Sequence, residues 1–209
     1  MGTRINKDLA NRFAAVFDQK LWGEEGTISG PGSHKDNPMA ISALSALETV
    51  IETYSIQSIA DIPCGDFNFL SPLTRKYPNI KYVGYDIVQA IVEKNRCNHP
   101  SLRFDVFDIV SDIPPTSDLI FTKELLIHLN NDHVMAAIEN MRKSGAKYLL
   151  ASNSFGVQKN EELTNDTLGY ARPIDLIKAP FNFPDPLWKN WFYALWDFRD
   201  LKIVASRIR

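Results

Sequence analysis

The sequence predicts an α/β fold: a doubly wound sheet of seven strands, mostly parallel, with an antiparallel last strand. Three observations lead there. Between residues 58 and 153, short apolar runs of strand length alternate with stretches that carry a helical period. The segments between those runs are long enough for right-handed crossovers, which parallel pairing requires. Two further strand-like runs lie close together near the end of the chain, and strands that close pair antiparallel.

Residues 7–21 set Leu9, Phe13, Val16 and Phe17 among polar residues at helical spacing, which predicts a short amphipathic helix. The stretch WGEEGTISGPGSHKDN that follows is rich in Gly and Ser and has no hydrophobic period, so it reads as a loop. Asn37 then caps a helix whose first position is Pro38. Along residues 38–54, Met39, Ile41, Leu44, Leu47, Val50 and Ile51 draw one apolar stripe. Strands are predicted at 58–62, 81–86, 102–108, 118–123 and 147–153, with helices between them at 67–76, 88–97 and 132–143. In the last of these helices Val134, Ile138 and Met141 share a face, and Gly145 ends it. Residues 156–190 hold four prolines and little periodicity. Strands at 192–198 and 202–208, joined by a short R-D turn, close the sheet as a hairpin. Residues 1–209 read as one domain. Within it, 1–37 is an N-terminal helix and loop, and 156–190 is an insertion placed to cover a substrate.

Hydrophobic residues make up 44% of the 209 and charged residues 23%, the balance of a globular chain with a full core. A formal charge of −2 supplies no basic field, so nucleic acid is not an expected partner. The two cysteines, Cys64 and Cys97, are too few for a disulfide framework or a cysteine-based zinc site. No apolar stretch is long enough to span a bilayer and no signal-peptide core opens the chain, so a cytoplasmic location is expected.

The segment SIADIPCGDFNFL ends an apolar strand on Asp61 and breaks at once into Pro63, Cys64, Gly65 and Asp66. Ligands of open α/β sheets bind at such strand ends. A dinucleotide loop would need G-x-G-x-x-G to seat a pyrophosphate. Here Pro63 stands in place of the first glycine, Gly65 is alone, and Asp61 and Asp66 bracket the turn. Carboxylates repel phosphates and attract an ammonium through charge-assisted hydrogen bonds. S-adenosylmethionine meets those terms, having no phosphate but an α-ammonium and a sulfonium, and Gly65 lets the backbone approach it. Asp86, followed by Ile87, ends the next strand, where a carboxylate takes both hydroxyls of a ribose. The third strand ends at Asp108 and Ile109, suited to accept from an adenine amino group and to cover the ring. The same acids disfavour a nicotinamide cofactor.

In these residues the chain resembles the class I S-adenosylmethionine-dependent methyltransferases, which have a Rossmann-like sheet. DIPCGDFNF is similar to their glycine-rich first motif, GYDI to the acidic second, FDVFDI to the third and SDLIFTKELLIHL to the fourth. The closing hairpin is similar to their reversed last strand, so the resemblance covers residues 38–209. It implies donor contacts from Asp61, Pro63, Cys64, Gly65, Asp66, Asp86, Ile87, Asp108, Ile109 and Lys123. A narrower likeness is to small methyltransferases with a D-x-P-C-G-D-F-N-W loop, a G-S-x-S-like stretch and an R-P-x-x-L…P-F-N-x-P segment. Here those read GPGSHKDN and RPIDLIKAPFNFPDP, with Phe69 replacing the Trp. That group accompanies glycan-building enzymes, including glycan-synthesis proteins of large algal viruses, which implies a sugar or glycan acceptor.

An alcohol acceptor must lose its proton as the new bond forms, and histidine is the usual base. His128 follows the fourth strand by about one helical turn. Glu124, four residues earlier, would share a helix face with it and orient the ring. His34 is a second candidate, on a loop expected over the donor site. Arg172 and Asn182 are expected to bond acceptor hydroxyls, and Phe183 to stack on an apolar sugar face. Magnesium assistance through Glu124 and Asn153 is the alternative to a protein base, but no carboxylate cluster at ligand spacing appears and no metal is expected. The four motifs describe the donor, so a small-molecule O- or N-methyltransferase and a non-catalytic donor-binding module stay open.

Overall fold

The computed structural model describes residues 5–23, 26–164 and 167–201. Its strands are β1 (Ser58–Asp61), β2 (Lys81–Asp86), β3 (Arg103–Val106), β4 (Leu119–Thr122), β5 (Tyr148–Ser152), β6 (Trp188–Lys189) and β7 (Tyr193–Asp197). They form one seven-stranded sheet in the order β3-β2-β1-β4-β5-β7-β6. Neighbours are parallel except where β7 pairs with β5 and with β6. This is the fold class the sequence predicts. The chain builds outward from β1 to β3, then starts the other half at β4, beside β1. Strand order reverses there, and the strand ends on either side leave a crevice.

The period-2 alternation of each strand sorts its side chains to two faces. Ile59, Leu119, Phe121, Leu150 and Tyr193 pack with α2 (Pro38–Tyr54), through Ala43, Leu47 and Val50. Ala60, Ile120, Leu149, Ala151 and Trp196 pack on the other face with the helix Asn131–Lys143, through Val134, Ala137, Ile138 and Met141. The helix α1 (Lys7–Asp18) adds Leu9 to that second face. Its N-cap Asn6 accepts from the amides of Asp8 and Leu9, each at 3.1 Å.

Three boundaries depart from the sequence reading. Helix α1 stops at Asp18, where the amides of Lys20 and Leu21 bond the carbonyls of Phe17 and Val16 and Lys20 takes a left-handed φ of 53°. Those two bonds are a Schellman turn, and it folds the chain back over the sheet. The helix expected at 67–76 shortens to α3 (Ser71–Lys76) because Phe67 is left-handed, with φ 55°. Among the described residues, β7, the strand expected at 192–198, makes its hairpin with the earlier β6, inside the segment read as an insertion. Its turn is made by Asn190, whose side-chain oxygen accepts from the amides of Phe192 and Tyr193 at 2.9 and 2.7 Å. The strand expected at 202–208 lies outside the described residues.

Candidate active site

The loop after β1 is built by neighbours on three sides. Cys64 N donates to Tyr85 O at 2.8 Å, which prolongs the β1–β2 pairing into the turn. Gly65, at φ 51°, donates its amide to Asp86 Oδ2 at 3.1 Å and accepts at its carbonyl from Asn95 Nδ2 at 2.6 Å. A Cβ on Gly65 would stand 2.5 Å from Ser29 Oγ, so the loop admits no side chain there. Asp66 accepts from Thr27 Oγ1 and Ile28 N, both at 2.8 Å, and its amide bonds Ser29 Oγ at 2.8 Å. These contacts seat the N-terminal loop beside the β1 turn. Asp66, expected as a donor contact, fastens the two loops together and does not line the cavity.

Between the loops and the strand ends is a cavity of about 510 Å³, within the ordinary range for a small-molecule site. Asp61, Pro63, Cys64, Gly65, Asp86, Ile87, Lys123, Glu124 and His128 all line it, so most of the residues singled out in the sequence converge. Asp61 is buried; its Oδ2 accepts from Tyr82 OH at 2.5 Å and its Oδ1 has no partner among the described residues. Burial pushes its carboxyl up to about 8, against the opposing bond from Tyr82, and Asp86 nearby pushes the same way. Asp86 is raised to about 6, again by burial, with the amides of Val88 and Gly65 holding it down. Burial also lifts the Cys64 thiol well above its ordinary value, so it is no nucleophile.

The opposite wall is aromatic. His128 ends a single 3-10 turn, Leu126–His128, and its Nδ1 lies 2.9 Å from Tyr170 O. A carbonyl only accepts, so Nδ1 carries the proton and Nε2 keeps its lone pair, with no hydrogen-bond partner among the described residues. Burial lowers the imidazole pKa, which keeps the ring neutral at pH 7. Trp22 stacks on that ring at 4.4 Å and 32°, and Phe13 meets it edge-on at 6.3 Å. Glu124 is at φ 53° rather than in a helix, with its amide on Ser152 Oγ at 2.9 Å and its carboxylate on Lys123 Nζ. The shared helix face expected for Glu124 and His128 is thus absent. Glu124 makes an ion pair with Lys123, and the Tyr170 carbonyl fixes the imidazole.

Several expected contacts fall elsewhere. Asp108 spends its two oxygens on the amides of Asn6 (2.8 Å) and Val110 (2.9 Å). With Ile109 it lines a neighbouring pocket of about 30 Å³ that shares Pro63, Asp86 and Ile87 with the cavity. His34 does not line the cavity; its ring abuts Gly26 and its Nδ1 accepts from Asp36 N at 3.3 Å. Arg172 is buried and bonds Glu161 O, Leu129 O and Asn131 Oδ1 at 2.5, 2.7 and 2.7 Å, so it pins the 156–190 segment instead of reaching an acceptor. Asn182 is exposed and bonds Pro180 O, while Phe183 is buried against Trp196 at 5.3 Å. Of that segment, Gly169 and Ala171 line the cavity. Asn153 is bonded to Asp175 Oδ1 and to Leu176 N, so it does not join Glu124 in a ligand set. Among the described residues no group of three or more His, Cys, Asp or Glu converges as a metal site. Nor is any described helix long and apolar enough to cross a membrane.

Among the cavity-wall residues that sequence reading missed are Trp22, Ser29, Ser33 and Met39. Phe13 and Phe17 were legible as an apolar helix face, and the structure turns both toward this site. Trp22 gave one available signal, a large aromatic directly after that helix.

A family profile described as an O-methyltransferase domain matches residues 33–171. The N-methyltransferase NodS from Bradyrhizobium japonicum, in complex with S-adenosyl-L-homocysteine, superposes with a TM-score of 0.54 at 17% identity, over 68% of this chain and 74% of its own. Magnesium protoporphyrin IX methyltransferase from Synechocystis, with the same product bound, gives 0.54 at 13% identity over 71% of each chain. Human N-acetylserotonin methyltransferase in complex with SAM gives 0.54 at 15% identity, over 75% of this chain and 50% of its own. These likenesses are of fold. No curated protein sequence matches the chain.

Proposed function

Since the chain belongs to the O-methyltransferase domain family, we propose that it methylates a hydroxyl group, with His128 as the base that takes the hydroxyl proton. It is an S-adenosylmethionine-dependent methyltransferase of the class I fold. The observation that carries the base assignment is the imidazole in the cavity wall: Nδ1 is committed to Tyr170 O, Nε2 has no partner among the described residues, and burial keeps the ring neutral.

The cavity's own atoms fit the donor. Asp61 Oδ1 is a buried acceptor with no partner among the described residues, which suits an α-ammonium. Asp86 would take the ribose hydroxyls on lone pairs left beyond the bonds from Gly65 N and Val88 N. Gly65 lets the loop close against Ser29, and Ile87 offers an apolar face to a ring. Lys123, beside Ser33 Oγ at 3.2 Å, supplies a cation at the same end as Asp61. When bound, S-adenosylmethionine supplies an electrophilic methyl group on a sulfonium. The chain's part is to align the acceptor oxygen, keep water out and receive the proton at His128 Nε2.

For the acceptor we take a sugar hydroxyl, a reading supported by the resemblance in GPGSHKDN and RPIDLIKAPFNFPDP. The first of these stretches contributes Ser33 to the wall, and the second anchors the loop that carries Ala171. A second reading, a phenolic hydroxyl, is favoured by the wall itself, where Phe13, Phe17, Trp22 and Ile127 present apolar surface. Labelled methyl transfer from S-adenosylmethionine to matched panels of sugars and phenols tests the choice. Transfer to sugars alone supports the first reading, and transfer to phenols alone replaces it with the second. Tight donor binding with transfer to neither panel would overturn the proposal in favour of a donor-binding module.

A further inference from the structure

We propose that Trp22 is a positioning residue for His128, holding the imidazole in one tautomer and one orientation from outside the strand-end loops. The inference rests on His128 as the base but concerns the geometry of its ring. Trp22 reaches the ring because of the Schellman turn: left-handed Lys20 reverses the chain after α1, and Gly23 N closes the bend on Lys20 O at 3.0 Å. The indole then lies over the imidazole at 4.4 Å and donates from Nε1 to Gly169 O at 3.0 Å. His128 Nδ1 uses the next carbonyl, that of Tyr170, at 2.9 Å. Arg12 from the same helix donates to Thr167 O at 3.2 Å. Three side chains therefore hold one short run of backbone, and two of them are stacked rings bonded to adjacent carbonyls.

That arrangement couples the two rings. If the indole moves, the backbone at 169–170 loses one of its anchors, and the bond that fixes the His128 tautomer loosens with it. Fit at this point is tight: a Cβ on Gly169, which sits at φ 76°, would stand 2.7 Å from the indole Nε1. The indole also covers the imidazole from water, and burial is the largest cause of its lowered pKa. The other groups facing the imidazole are Glu124 and Lys123 from the β4 end, Arg12 from α1 and the Tyr170 carbonyl. A change at Trp22 removes none of them.

The test is a pH titration of the full chain labelled with 15N-histidine, following the ring nitrogens of His128 by NMR; it requires no acceptor. In the unmodified protein His128 should be the Nδ1–H tautomer and should titrate below its ordinary value. Trp22→Ala should move that titration up by about half a pH unit or more and mix the tautomers. Trp22→Phe, which keeps a ring on the imidazole and loses the bond to Gly169, should lie between. Should Trp22→Ala not fold, Trp22→Phe and Gly169→Ala carry the test, with shifts in the same direction. A folded variant whose His128 titration and tautomer match the unmodified protein would overturn the proposal, whatever its melting temperature. Loss of the base assignment itself would appear as unchanged turnover in His128→Ala, so the two failures are distinguishable.

Discussion

Binding of the donor should expel a proton from Asp61. In the free protein its carboxyl is raised to about 8 by burial, with Oδ1 unpartnered among the described residues. At pH 7 such a group is ~90% protonated, whereas a bound α-ammonium on Oδ1 requires the carboxylate. The ligand's own amino group is already an ammonium at pH 7, because the neighbouring carboxylate raises its pKa above that of a chain terminus, so its proton uptake on binding is small. The net release at pH 7 is therefore most of one proton, shrinking as pH rises through about 8. Calorimetric titration of S-adenosylhomocysteine in buffers of different ionisation enthalpy measures this count directly. Asp61→Asn keeps the shape without the proton, so its count at pH 7 should be a small uptake. A wild-type count near zero at pH 7, or equal to that of Asp61→Asn, would refute the placing of the ammonium at Asp61. The free protein carries the same signature in its stability. Asp61 has a folded pKa above its unfolded value, so its contribution is present at low pH and lost as pH rises toward about 8. Between pH 6.5 and 8 this costs up to ~1.4 kcal/mol per pH unit, because the folded state holds one proton more than the unfolded chain.

Other perturbations follow from the same contacts. Gly65→Ala places a Cβ 2.5 Å from Ser29 Oγ on a backbone at φ 51°, so it should weaken S-adenosylhomocysteine binding at least about tenfold in calorimetry while the sheet persists by circular dichroism. Arg172→Ala strands the Leu129 carbonyl and Asn131 Oδ1; it should lower stability in urea by about 2–4 kcal/mol. An Arg172→Ala protein of unchanged stability and raised acceptor KM would return Arg172 to the acceptor site.

The fold was legible wherever local periodicity sets the answer. Helix α2 and strand β2 fall at the predicted residues because their apolar stripe and strand-like run are read from neighbours in sequence. Asp61, Gly65 and Asp86 were legible because strand ends and tight turns announce themselves with short polar residues. What the sequence hid was long-range pairing. Asp108 looked like a free acid at a strand end, but its partner is the amide of Asn6, 102 residues earlier. Asp66 is consumed by Thr27 and Ile28, and Arg172 by carbonyls more than forty residues upstream. Glu124 failed for another reason: a non-glycine residue at φ 53° interrupts what reads as a helical turn, and propensity does not foretell it. Trp22 sat in a loop without a period, where only the Schellman turn decides which way an aromatic points.

The most direct test of His128 as the base is the single-turnover rate of methyl transfer, measured with wild type and His128→Ala on an acceptor that turns over, alongside S-adenosylhomocysteine affinity for both. The expected result is a rate lower by about 10²–10⁴-fold in His128→Ala with donor affinity nearly unchanged. The wild-type rate should also fall as pH drops through a value below about 6.5, since burial depresses the imidazole pKa and only the neutral ring accepts a proton. A His128→Ala protein that keeps its full rate, or that loses rate only in proportion to donor affinity, would contradict the assignment.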